Sequence, residues 1–126
     1  MLIVTTNDIP GYRIEAVLGE VMGMTVRSAN IGANFVAGFR AMGGGEVTEY
    51  TKLVYDSRQQ VTTRMWEQAQ QRGANAIIGA RFDTGAIGTS FSEICAYGTA
   101  VVAVPIPEGE PGATPQSAAD ARNRPA

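Results

Sequence analysis

The stretch ICAYGTAVVAV, Ile94 to Val104, is apolar, rich in small and β-branched residues, and closed by Pro105. Such a run, preceded by the turn-forming GAIGTS at 85–90, reads as a buried strand. Its alternation puts Ile94, Ala96, Gly98, Ala100 and Val102 on one face and Glu93, Cys95, Tyr97, Thr99 and Val101 on the other. The first face is built of small residues and lets a helix approach closely, so a helix is expected there. The second carries the only cysteine of a chain that has no histidine. Cys95 is then a ligand, a nucleophile or a small buried side chain.

The flanking sequence supplies the other elements. ANAIIGARFDT predicts a strand from Ala76 to Thr84, which forms a hairpin with the strand after it. From Glu46 to Arg72 the pattern is helical: Val47, Tyr50, Val54, Val61, Met65 and Ala69 recur at spacings of three, four and seven. Glu46 and Glu49 fall in its first turn and Arg72 in its last, as the macrodipole favours, and Gly73 is suited to the C-cap. At ~1.5 Å per residue this helix is about 40 Å long. Tyr55, Gln59, Thr62 and Trp66 form a second stripe on it, which predicts contact with another subunit or cover by a loop of the same chain.

Upstream, Leu2 to Thr6 predicts a first strand, and Asn7, Asp8, Pro10 and Gly11 a turn. Arg13 to Ala29 predicts a long strand whose alternation slips between Leu18 and Val21, as a bulge would make it. Residues 30–45 have no clear period; a short helix from Phe35 to Met42, broken by Gly43–Gly45, fits them. From Pro105 onward the chain holds five of its six prolines and no aromatic residue. A domain over 1–105 followed by a disordered tail over 106–126 is therefore expected.

Composition narrows the function. The chain has 126 residues, 44% of them hydrophobic and 17% charged, with a net charge of −2, which fits one globular domain. There is no basic excess to neutralise a phosphate backbone, so nucleic acid is not an expected partner. No apolar run approaches the ~20 residues of a membrane helix. The N-terminal MLIVTTNDIPGY has no basic segment leading into an apolar one, so a cytoplasmic location is expected. Without histidine there is no Ser-His-Asp triad, Cys-His pair or imidazole metal site, and no catalytic residues are assigned.

Five motifs recur in a familiar order: TT at Thr5–Thr6, IPGY at Ile9–Tyr12, GGGEVTEYTKL at Gly43–Leu53, GANAIIGARFD at Gly73–Asp83 and AYGTAVVAV at Ala96–Val104. Together they resemble the YbjQ-like family of small bacterial and archaeal proteins, labelled for heavy-metal binding, over about residues 2–104. The resemblance implies an α+β, dodecin-like subunit, an antiparallel sheet wrapped on one long helix, closing into a homopentameric ring. Such a ring would give the second helical stripe a partner and pair the open sheet edges.

The candidate sites follow. Cys95 could join a soft-metal site built by symmetry, assisted by Met22 and Met24, or be an inert buried thiol. Its neighbours Tyr97 and Thr99 would line a ligand cavity or simply pack across strands. The resemblance marks Glu46 and Tyr50 as motif positions; four residues apart, they share a helix face and suit a ligand contact or a structural hydrogen bond. Glu15, Glu20, Asp83 and Glu93 would make a carboxylate ring if repeated around an axis, or solvated faces otherwise. Arg58 and Arg81 are expected to pair with carboxylates. The expected function is non-catalytic binding of a soft metal ion or other small ligand at sites made by assembly. A scaffold that holds a protein partner through residues 106–126 is the alternative.

Overall fold

A computed structural model of the chain describes residues 1–28, 48–88 and 91–124. Its elements are β1 (Leu2–Ile3), β2 (Tyr12–Ser28), α1 (Thr48–Gln71), β3 (Ala76–Ile87), β4 (Phe91–Pro105) and α2 (Pro115–Asn123). The strands form one four-stranded sheet in the order β1-β3-β4-β2, giving a mixed α+β fold. The chain divides into two compact units, one of Met1–Val21, Trp66–Arg81 and Tyr97–Ala126, the other of Met22–Met65 and Phe82–Ala96. The expected helix over Phe35–Met42 lies outside the described residues.

In the first unit β1 runs parallel to β3, with Leu2 opposite Ala76 and Ile3 opposite Ile77. The sheet is therefore mixed, which corrects the expectation of an antiparallel one. The link from β1 to β2 joins opposite edges of the described sheet, and its Ile9 is buried in a cluster with Ala76, Val101 and Ala103, against which Leu2, Val4, Tyr12, Ile14 and Ile78 pack. Beyond β1 the pairing continues: Val4 N–H donates to the Ile77 carbonyl at 2.9 Å and Gly79 N–H to that of Thr6 at 2.7 Å. Arg81 donates to the Thr5 carbonyl at 2.7 Å rather than pairing with a carboxylate. Gly98 of β4 has no room for a side chain, since a Cβ there would lie 2.7 Å from Ile77 Cγ2.

The end of α1 is a Schellman motif. Ala74 N–H donates to the Ala69 carbonyl and Gly73 N–H to that of Gln70, with Gly73 at φ +85°. Gly73 is thus the terminator expected of it. Arg72 lies one residue beyond the helix rather than in its last turn. Its guanidinium turns to β2 and donates to the Glu20 carbonyl at 2.7 Å and, more weakly, to that of Leu18 at 3.4 Å. Between those two carbonyls sits Gly19, at φ +98°. The exposed residues of β2 are 13, 15 and 17 before this point and 20, 22, 24 and 26 after it. The side-chain phase therefore flips at Gly19, as an extra bulged residue requires.

Residues 106–124 are folded, which corrects the expectation of a disordered tail. Ile106 N–H donates to the Gly11 carbonyl at 2.8 Å. Thr114 and Ser117 cap α2 reciprocally, Ser117 N–H donating to Thr114 Oγ1 and Thr114 N–H to Ser117 Oγ, with Pro115 in the first turn. The fully buried Ser117 hydroxyl also donates to the Ile106 carbonyl at 2.9 Å. Gly11 makes the docking possible: a Cβ there would lie 2.6 Å from Thr114 Oγ1 and 2.9 Å from Ser117 Cβ. A composition poor in apolar residues need not mean disorder: here the burial of Ile106 and Ala118 is joined by a cap and backbone hydrogen bonds.

In the second unit α1 presses on β2 at Gly23, where a Cβ would lie 2.0 Å from the Val61 carbonyl oxygen and 2.6 Å from Met65 N. The close approach expected at the small-residue face of β4 is thus observed at a glycine of β2. Val61 and Met65 of the predicted stripe are buried, as is Ala69 further along the helix, while Tyr55 and Trp66 of the second stripe are exposed. Arg64 donates to the Met24 carbonyl at 2.6 Å, and Arg27 to Gln60 Oε1 at 2.6 Å. Arg58 stacks over the Phe82 ring, 5.0 Å from its centroid, instead of pairing with a carboxylate. β3 continues to Ile87, so the glycine-rich segment expected as a turn is partly strand.

Candidate functional site

Cys95 is 9% exposed, and its thiol donates to the Ala96 carbonyl at 3.7 Å. Tyr97 and Thr99 follow on the same side of β4 and are half-buried. Glu46 lies outside the described residues, as does the side chain of Tyr50, whose backbone belongs to α1. Glu15, Glu20 and Asp83 are exposed and Glu93 is half-buried. Among the described residues no three Cys, Asp or Glu side chains are grouped so as to hold a metal ion. Metal binding of the structural or catalytic kind takes three or four protein ligands. The described part of one chain therefore does not fit a metal by itself, and its buried thiol is poorly placed to share one.

The structure offers a different site, in the first unit. A cavity of about 300 Å³ opens between the ends of the strands and α2. Its floor is Leu2, Ala76, Ala103 and Pro105, and its polar lining is Tyr12, Asn75, Asp120, Asn123 and Arg124. Asn75, on the turn after α1, is held rigidly. Its side chain donates to the Ala103 carbonyl at 2.8 Å and accepts from Ala103 N–H at 2.8 Å, as a strand backbone would. Tyr12 donates its hydroxyl to Asp120 Oδ2. Burial pushes the Tyr12 phenol up to about 12, helped by the hydrogen bond to Asp120 and by that carboxylate's charge. At neutral pH Tyr12 is thus protonated and donates to Asp120.

None of the candidate site residues read from the sequence lines this cavity. Tyr12 was visible only as the last residue of the IPGY motif, and Asp120 and Arg124 belong to the segment expected to be disordered. Thr114, Pro115 and Ser117 did carry a usable signal, because a capping residue followed by proline marks a helix start.

Comparison with known proteins places the chain. The profile of the YbjQ_1 family, described as "Putative heavy-metal-binding", matches residues 1–104. A UPF0145 protein of Acidothermus cellulolyticus is 57% identical over 100 residues, covering 79% of this chain and 93% of the relative. One from Mycobacteroides abscessus is 50% identical over 106 residues, covering 84% and 99%. One from the archaeon Thermoplasma volcanium is 49% identical over 102 residues, covering 81% and 84%. Among solved structures, a DUF74-family protein of Pediococcus pentosaceus superposes with a TM-score of 0.53 at 16% identity, over 81% of this chain and 96% of that one, a likeness of fold. No helix among the described residues is long and apolar enough to cross a membrane.

Proposed function

The chain belongs to the YbjQ-like family, to which its UPF0145 relatives point as well, and from that premise we propose that it binds a heavy metal or other small ligand without catalysis, as a cytoplasmic homopentameric ring of dodecin-like subunits whose assembly completes the site. The observation that carries this reading is the apolar surface of β2. Met22, Met24 and Val26 project in succession from this strand, the outermost of those described, with Val26 51% exposed, and Val17 is 68% exposed before the bulge. Tyr55 and Trp66 add exposed aromatic area on α1. Sheet edges and apolar rows of this kind are surfaces that another chain covers.

Assembly also supports the metal assignment, because donors that one subunit lacks can come from several. Met22 and Met24 are exposed residues, unlike Cys95, and thioethers select soft ions such as Cu(I). Native mass spectrometry of the purified protein, titrated with Cu(I), Ag(I), Ni(II) and Zn(II), tests both parts. A pentamer that retains one of these ions is the expected result. A pentamer that binds none removes the metal, and a monomer at micromolar concentration removes the assembly.

A further inference from the structure

We propose that the cleft between the strand ends and α2 binds a small zwitterion of the amino-acid type, with its ammonium group on Asp120, its carboxylate on Arg124 and its apolar body on the floor formed by Leu2, Ala76 and Ala103. The cavity, at about 300 Å³, is at the lower end of the range for small-molecule sites, roughly 300–1,000 Å³. Its lining combines apolar residues with one charge of each sign. The two are four positions apart, a spacing at which helical residues usually pair. They do not pair here: α2 ends at Asn123, and Arg124 turns away with extended backbone, φ −72° and ψ 130°. The cation of α2 that does form an ion pair is Arg122, with Glu108 at 3.3 Å. Asp120 and Arg124 therefore line one cleft without neutralising each other.

The remaining polar groups act as fixtures. Tyr12 donates to one oxygen of Asp120 and so fixes the carboxylate at the cleft. Asn75 is held in place by its paired bonds to the Ala103 backbone, which fixes the orientation of this wall of the cleft. A carboxylate is the natural partner of the planar guanidinium of Arg124. Asp120, Asn123 and Arg124 all lie beyond residues 1–104, the part that matches the family. The charged side of the cleft is thus supplied by the C-terminal segment, while Leu2, Tyr12, Asn75, Ala76 and Ala103 of the family-matched part complete it.

The test is a titration of the isotopically labelled full-length protein with the free proteinogenic amino acids at millimolar concentration, read by amide chemical shifts. The expected result is that at least one of them shifts the signals of Asn75, Ala76 and Ala103. Its amine-only and acid-only analogues should bind about tenfold or more weakly, and so should the D120N and R124Q variants. Asp120→Asn keeps an acceptor oxygen for Tyr12, and Arg124 lies outside the helix, so neither change removes the docking of α2. No shift with any amino acid, or a shift that survives either substitution, overturns the proposal.

Discussion

Gly23 faces the backbone of α1 so closely that a Cβ on it would lie 2.0 Å from the carbonyl oxygen of Val61. Backbone is on both sides of this contact, so no side chain can swing away to relieve an overlap. Gly23→Ala is expected to force helix and strand apart and to cost about 1–3 kcal/mol or more. Gly85, also in a strand, has nothing within 4 Å of an added Cβ and serves as the control. Urea unfolding of the two variants checks this, and equal midpoints would remove the close-contact account.

The docking of α2 rests on Ser117, which caps the helix and bonds the Ile106 carbonyl while fully buried. Ser117→Ala leaves the Thr114 N–H and the Ile106 carbonyl each short of a partner, a loss of about 1–3 kcal/mol. Hydrogen exchange at Ser117 and Ala118 should accelerate and proteolysis within 106–124 should appear, with β3 and β4 unchanged. Undiminished protection in this variant would mean that the extension is held by something else.

The Tyr12 phenol titrates near 12 in the folded protein, against an ordinary value of 10. Between these values the unfolded chain has lost its proton while the native state keeps it. Stability from this group is therefore complete below pH 10 and declines as pH rises from 10 to 12. The Tyr12→Phe variant should lose that part of the alkaline decline, and phenolate absorbance should show one late-titrating tyrosine fewer. An identical pH profile in the variant would refute the assignment.

Assembly through β2 predicts that Val26→Lys dissociates the oligomer without unfolding the subunit. The side chain is exposed in the subunit, so a lysine costs little there, whereas in a covered interface it would be an unpaired buried charge. Native mass spectrometry together with circular dichroism separates the two effects. An intact ring carrying this lysine would place the interface elsewhere.

Cys95 should behave as a buried thiol. A thiol-specific disulfide reagent is expected to label it slowly in the folded protein and quickly in denaturant, as its low exposure requires. Rapid labelling of the native protein would return it to the candidates for a reactive or metal-binding site.

Much of the fold is legible residue by residue. The stripe of Val61, Met65 and Ala69 marks the buried face of α1, the slip near Leu18 marks the bulge at Gly19, and Gly73 marks the helix end. Five spaced motifs identify the family, whose profile covers residues 1–104. Each of these signals is local, since helical and strand periods and capping chemistry act over a few residues.

What periodicity states is which face is apolar, not which distant segment will cover it. β1 pairs in parallel with β3, and Ile9 of the link that follows β1 packs on Ala76 and Val101, far along the chain. The folded C-terminal segment depends on the missing side chain of Gly11, where Thr114 and Ser117 settle. The cleft depends on Tyr12 meeting Asp120, 108 positions later in the chain. The strands, the long helix and the family are thus written in the order of the residues. The site at Tyr12 exists only once the chain has folded, because its groups come from segments whose meeting no local pattern encodes.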